Sequence, residues 1–475
     1  MATLDDPTRS IQRAADLATA TPPVPGPEVS GPDAAAAMRP SIRRMLVSAF
    51  TTAVLQGGSS LMGFGAAVLL AHFLGPAGYG RYAFTLACAG VLTILATLGL
   101  NRFVVRGIAV YETQGKWELM KGLVVRASEV VLLASAVIVL VGCGVALLWL
   151  TPSLRWPFCV GMLLVPLTAL TLLRQAVMQA LGRVVAGQLP EYLLRPVLIL
   201  LGIGALKLFG GGSLTSTTSL AVNVGAVGVA CVVGGVTLRK ALPAVLAAVR
   251  PAYATREWVR AAVPMMLISG VWLLNNNFTT VVVGAFGDSH AAGVYSVVEK
   301  AGEIIVLVLV AANMPLAPAI ARLHARGDRE GLESSTVRVA QATLLTSVPI
   351  AAAFIAFPHV YLSIFGSGFQ SGATALRIIA VGQLVNAAAG PAGNVLIMTG
   401  HERAAVTGMI AGLLANVALG IVLVPPLGVT GGAIAFAGSL VLWNAILVVL
   451  ARRRVGINVT AFRWPVRRAS GLGEL

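Results

Sequence analysis

The chain has 475 residues, of which 57% are hydrophobic and 11% charged, with a mean hydropathy of +0.87 and a formal net charge of +16. So much apolar surface cannot be folded around a single aqueous core, which excludes a soluble globular enzyme and implies a polytopic membrane protein. A nucleic-acid role for the basic excess is excluded too, because no basic groove with interleaved aromatic residues is written anywhere.

In chain order, residues 1–40 hold Pro22, Pro23, Pro25, Pro27, Pro32 and Pro40 among Ala, Thr and Asp. They read as a disordered cytoplasmic tail, since they have too little apolar content to pack. A helix needs about 20 mainly apolar residues to cross a bilayer. By that ruler the N-terminal half offers spans at about 45–74, 82–106, 124–150, 157–181, 192–210 and 214–238. The C-terminal half offers 261–286, 294–320, 337–360, 375–400, 406–424 and 433–451. The expected fold is therefore an all-α polytopic membrane protein of about twelve transmembrane helices, with fourteen as the alternative count. Helices are required because hydrocarbon offers backbone groups no partners, and the runs lack the alternation of barrel strands.

The two halves follow one plan. Gly115 and Gly327 lie 212 positions apart, as do Arg126 and Arg338, with Ile108-Ala109 matching Ile320-Ala321 at the same offset. Tyr82 and Tyr295 differ by 213. The expected division is a helical bundle over 41–238, a linker over 239–260 lying on the membrane surface, a second bundle over 261–454 and a cytoplasmic tail over 455–475. Lysines and arginines crowd one set of loops, from Arg43 and Arg44 through Lys116, Lys121, Arg239, Lys240, Arg322 and Arg326 to Arg452, Arg453 and Arg454. The alternate loops carry only Arg81, Arg155 and Lys207, which places both termini in the cytoplasm. Cys88, Cys143, Cys159 and Cys231 all fall inside spans and read as small apolar side chains; neither a disulfide, a metal site nor a cofactor is expected.

Ionisable groups inside spans cost about 2.5–3.5 kcal/mol each on insertion scales, so they face a cavity or a partner. Arg102 and Arg106 lie four apart, on one helix face near the cytoplasmic end of the second span. Arginine's planar fork suits phosphate; snorkelling to the headgroups is the competing account. Arg174 is a further intramembrane candidate, whereas Arg195 and Arg377 lie close enough to span ends to act as surface anchors. In the eighth span Glu299 and Glu303 share a face while Lys300 points about 100° away. Two carboxylates on one low-dielectric face suit a proton or sodium ion, and Lys300 suits a phosphate; an ion-pair network that only fixes helix packing is the alternative. Asn275, Asn276 and Asn277 sweep about 200° of the seventh span, so at least one faces inward, toward sugar hydroxyls or a neighbouring helix. Proline at 166, 196, 315, 318, 349 and 391 marks candidate bends.

Four stretches carry a family resemblance: Leu74-Gly75-Pro76-Ala77-Gly78-Tyr79-Gly80, Leu98-Gly99-Leu100-Asn101-Arg102, Phe365-Gly366-Ser367-Gly368-Phe369 before Ala375-Leu376-Arg377, and Thr399-Gly400-His401-Glu402-Arg403. From about Met45 to Arg454 the chain resembles the polysaccharide exporter branch of the multidrug/oligosaccharidyl-lipid/polysaccharide transporter superfamily, which includes the O-antigen flippases. The resemblance implies two pseudo-symmetric six-helix bundles around a central cavity that carries a polyprenyl-pyrophosphate-linked oligosaccharide across the bacterial cytoplasmic membrane. For such a substrate the intramembrane polar groups give Arg102, Arg106, Arg174, Lys300 and Asn275 to Asn277 as candidate substrate contacts and Glu299 and Glu303 as the candidate coupling site for H+ or Na+. Partners expected alongside are a polysaccharide polymerase and glycosyltransferases. An exporter of small cations, from the multidrug branch, would prefer acidic and aromatic cavity groups. A polyprenyl-linked polymerase or glycosyltransferase would need a catalytic carboxylate pair on a substantial outer loop, where only Asp288 is available. No Gly-rich Lys-Ser/Thr loop is present for ATP hydrolysis.

Overall fold

The computed structural model describes residues 42–97, 99–209, 214–258 and 277–462. Two units are distinguished, Met1–Ser48 and Ala49–Leu475. Of the first, the described residues form only the start of a helix; all contacts below lie in the second.

The described secondary structure is helical throughout. Helix α1, Ile42–Thr97, is broken by Gly75 at φ 65° and ψ 175°, with Pro76 directly after. Only glycine takes that backbone without a Cβ clash, and proline is pre-set for the first position of the helix that follows. The 44 residues from Val54 to Thr97 would run about 66 Å at 1.5 Å per residue, twice the hydrocarbon thickness, so the kink separates two passes. Helix α16, Glu402–Arg454, repeats this device with 53 residues broken at Gly428 (φ 54°, ψ −127°) beside Pro425 and Pro426. Eight helical segments among the described residues are long and apolar enough to span, and these two each supply two passes. Of the candidate bends, Pro391 falls at a helix break, directly after Gly390 (φ 71°), whereas Pro349 lies inside the unbroken helix Arg329–Ala356.

One predicted span ends early. Gly99, at φ 65°, precedes a separate short helix α2, Leu100–Thr113, where the sequence reading ran a single span through to residue 106. Apolar residues on one face only cause this: Leu100, Phe103, Val104 and Ile108 are buried, while Arg102 and Arg106 are exposed. After it come α3 (Trp117–Trp149), α4 (Pro152–Met162), α5 (Leu164–Ala180) and α6 (Val184–Leu189). A π-helical turn, Pro190–Leu194, joins α6 to α7 (Arg195–Phe209), and α8 (Ser216–Ala241) completes this half. A single turn, α9 (Val245–Ala248), lies in the linker. The predicted span at 261–286 lies mostly outside the described residues; its end is α10, Asn277–Phe286. There follow α11 (Ser289–Ala325), α12 (Arg329–Ala356), α13 (Pro358–Ser363), a 3-10 turn Ser367–Gly372, α14 (Ala373–Ala389) and α15 (Ala392–Met398) before α16.

The internal repeat is visible in the turns. Gly115 (φ 66°) closes α2 with Gly115 N donating to Glu112 O and Lys116 N to Tyr111 O; Gly327 (φ 69°) closes α11 with Gly327 N to His324 O and Asp328 N to Leu323 O. The bonds match one for one at the 212-residue offset, each a helix end that needs a left-handed residue. The halves meet where α1, just past its break, touches the start of α11. A Cβ on Gly80 would lie 1.6 Å from Ser289 O and 2.7 Å from Gly293 N, and one on Gly293 2.1 Å from Pro76 O.

The linker is not a free surface helix. Lys121 Nζ donates to Val249 O at 2.8 Å, Ala252 N to Glu118 O at 3.0 Å, and Trp258 Nε1 to the Tyr111 hydroxyl at 2.9 Å, so it runs against the start of α3 and the end of α2. Past α16, Val455 to Phe462 folds back instead of trailing away. Ile457, Asn458 and Val459 are buried, Ala461 N donates to Ala388 O, and Gln341 Nε2 donates to Ala461 O. This strap rests on Gly390, whose φ of 71° breaks α14 from α15 and whose Cβ would lie 2.2 Å from Val459 O. Gly390→Ala should therefore cost about 1–3 kcal/mol, read as a lower Tm in detergent; an unchanged Tm would remove the strap contact from the account.

Candidate functional site

Two of the four stretches that carried the resemblance, 74–80 and 365–369, converge. Tyr79 packs edge-on to Phe369 at 6.2 Å and Phe64 to Phe365 at 5.5 Å, and the ring of Pro76 lies under Gly368. This aromatic plug adjoins the Gly80–Gly293 contact through Tyr79, which also lines the space between the halves. Tyr79 and Tyr82, stacked at 6.1 Å, form its floor on the cavity side.

Two adjoining cavities of about 500 and 640 Å³ open there, sharing Tyr79, Tyr82, Leu86, Lys300 and Glu303. The first is lined further by Asn277, Thr280, Ser296, Glu299 and Gln383, the second by Gln56, Glu191, Tyr192, Arg195 and Asn223. Walls thus come from α1, α7 and α8 on one side and from α10, α11 and α14 on the other.

The polar groups are organised in pairs. Lys300 Nζ donates to both carboxylate oxygens of Glu303, at 2.8 and 2.7 Å, one turn along α11. Glu299 is held separately by the Thr280 hydroxyl at 2.7 Å. Opposite, Arg195 Nη1 pairs with Glu191, again one turn away, and Nη2 donates to Asn223 Oδ1 at 3.3 Å. Asn223 Nδ2 in turn donates to the Tyr82 hydroxyl at 2.9 Å. Behind the far wall Asn386 bridges Gln383 and Asn444. Each cation is already neutralised by an acid on its own helix, so a polyanion entering the cavity meets groups it can exchange with.

Of the residues singled out in the sequence, Lys300, Glu299, Glu303 and Asn277 line the cavity. Glu303 pairs with Lys300, three residues away and about 60° around the helix, within the ordinary i,i+3 reach. Asn275 and Asn276 lie outside the described residues. Arg102 and Arg106 are not on the cavity wall; the break at Gly99 puts them on the exposed face of α2. Arg174 is not there either. It is 5% exposed between α5 and α8, its guanidinium lying over Gly234. Sequence reasoning missed Tyr79, Tyr82, Asn223 and Gln383, and it assigned Arg195 to the membrane surface. The i,i+4 spacing of Glu191 and Arg195 between Pro190 and Pro196 was the available signal for an internal pair.

No curated protein matches this sequence. Solved structures do resemble the fold at low identity. An inward-facing MATE family multidrug resistance transporter of the MOP superfamily aligns with a TM-score of 0.70 at 13% identity, over 84% of this chain and 94% of that one. The lipid II flippase MurJ, in an inward closed conformation, aligns at 0.64 and 12% identity, over 84% and 87%. A MOP superfamily transporter from Pyrococcus furiosus, described as having a binding pocket of reverse polarity, aligns at 0.61 and 13%, over 86% and 94%. The family model MatE matches residues 264–422, and the model described as polysaccharide biosynthesis protein matches residues 45–324, more than half of the chain. With two helical halves about a shared polar cavity and that match, the chain belongs to the polysaccharide biosynthesis protein family, and its fold is that of the MOP superfamily transporters it aligns with.

Proposed function

We propose that this transporter is a flippase that moves a polyprenyl-pyrophosphate-linked oligosaccharide across the bacterial cytoplasmic membrane by alternating access. The observation that carries the reading is the pair of cations, Lys300 and Arg195, that reach one cavity from opposite halves, each balanced by a displaceable carboxylate. A pyrophosphate has the charge and oxygen count to replace both carboxylates, and arginine binds it in paired hydrogen bonds. Asn277 and Gln383 supply amides for sugar hydroxyls, while the lipid tail stays in the bilayer. Residues 41–238 and 261–454 act as the two rocking bundles, both termini lie in the cytoplasm, and the charged end of α2 faces the inner leaflet. There Arg102 and Arg106 catch the phosphate before it enters. Glu299, held by Thr280 apart from the Lys300–Glu303 pair, is the site for a coupling proton or sodium ion, with Glu303 as its neighbour. A polymerase and glycosyltransferases act on the same lipid before and after it.

The acid count supports a second reading, since Glu191, Glu299 and Glu303 outnumber the two cations among the described lining residues. An exporter of small cations would use that excess. Deleting the gene separates the two: the flippase reading expects a lipid-linked oligosaccharide to accumulate on the inner leaflet, and the exporter reading expects sensitivity to cationic drugs with normal surface glycan. For the entry step, Arg102→Ala with Arg106→Ala should cut surface-polysaccharide export about tenfold or more at unchanged membrane abundance. Normal export by the double variant would sever α2 from the transport path.

A further inference from the structure

Among the described residues of the N-terminal half, Arg174 is a buried charge that the transport path leaves without a task. Its Nε, Nη1 and Nη2 are all buried and none has a hydrogen-bond partner, and the side chain is 95% shielded (5% exposed). A buried, unpaired guanidinium is among the costliest groups a fold can hold, so a partner in another state of the cycle is the economical reason to keep it. The geometry names that partner. Helices α5 and α6 run antiparallel, with Gly187 packed on Met178 so closely that a Cβ at 187 would lie 2.7 Å from Met178 Cβ. Counting four residues outward from that contact reaches Arg174 on α5 and Glu191 in the π-helical turn just past α6. Glu191 and Cys231 are also the groups that act electrostatically on Arg174.

Glu191 is built to move. It lies in the π-helical turn Pro190–Leu194, where an extra residue per turn loosens the ladder that fixes side-chain direction. Only one of its carboxylate oxygens is engaged, Oε1 with Arg195; Oε2 is buried and without a partner. We propose that Glu191 is handed from Arg195 to Arg174 when an anionic headgroup takes its place on Arg195. Arg174 is then a positioning residue that never touches substrate: it receives the displaced carboxylate, so that binding a phosphate does not strand a negative charge in the bundle. The exchange moves no proton and leaves the cavity wall more cationic by one charge.

This rests on the flippase reading, and the test separates the two. Full-length protein in nanodiscs is titrated with a polyprenyl pyrophosphate, with size-exclusion elution checked for every variant. Arg174→Met, which fills the same volume without the charge, should weaken binding about tenfold in the otherwise native chain but less than about twofold when Glu191 is already Gln. Arg174→Lys, which keeps the charge, should stay within about threefold of the native affinity. An equal loss from Arg174→Met in both backgrounds, or an equal loss from Arg174→Lys and Arg174→Met, overturns the hand-off while leaving the cavity cations in place. Absence of binding by the native chain, or full binding by Arg195→Gln, overturns the flippase reading and the hand-off with it.

Discussion

Lys300→Ala should cut export of the lipid-linked glycan about 30-fold while the protein stays folded in the membrane. Lys300 is the cation of the C-terminal wall, and its ammonium is bound on both oxygens of Glu303. Removing it has two consequences with the same sign: the incoming phosphate loses a donor, and Glu303 is left as an uncompensated negative charge facing it. Truncating one member of a desolvated charge pair typically costs about 2–5 kcal/mol. The Lys300 and Glu303 side chains are 35% and 59% exposed to the cavity, so the lower part of that range applies, a loss of about 30-fold. Adding Glu303→Gln to Lys300→Ala should recover part of the loss, because the stranded charge goes too. Glu303→Gln alone should keep or tighten substrate binding. Complementation of a deletion strain, scored by surface glycan at matched membrane abundance, reads all three. If Lys300→Ala exports normally, or exports more than the double variant does, the cavity does not bind an anion.

Gly80→Ala should pry the two halves apart at their closed end. The added Cβ would lie 1.6 Å from the carbonyl oxygen of Ser289 and 2.7 Å from Gly293 N, both backbone atoms that cannot rotate away. The turns must separate by more than about 1 Å, which withdraws the aromatic plug around Tyr79 and Phe369. Overpacking of this kind costs about 1–3 kcal/mol, and because it acts only on the closed arrangement it shifts the population toward opening there by about 5- to 150-fold. A cysteine placed at Ala87, with the native Cys88, Cys143, Cys159 and Cys231 replaced, should then react faster with an impermeant maleimide added on the Gly80 side. Gly293→Ala should behave alike, its Cβ meeting Pro76 O at 2.1 Å. Native labelling together with native export in both variants would mean that this contact is not a gate.

Much of this molecule was legible before any coordinates. Hydropathy and length set the helices, because an apolar run in a bilayer has no other way to satisfy its backbone. The 212-residue offset showed the repeat, and the glycines carrying it, Gly115 and Gly327, proved to be matched left-handed helix ends. Lys300, Glu299, Glu303 and Asn277 were identifiable from charge inside apolar runs, since such groups face water or each other.

Rotation, depth and long-range approach were decided only by the tertiary structure. Hydropathy is blind to the angle of a span about its own axis, so Arg195 read as a surface anchor yet turns into the cavity, and Arg174 read as a substrate contact yet lies buried over Gly234. The break at Gly99 carried Arg102 and Arg106 off the span they were assigned to, because a helix with one apolar face lies against its neighbours instead of crossing between them. That two backbones meet at Gly80 and Gly293 is a property of how the halves pack. Local chain chemistry determined the helices and their repeat, and the packing of one half on the other determined which charges face each other across the cavity.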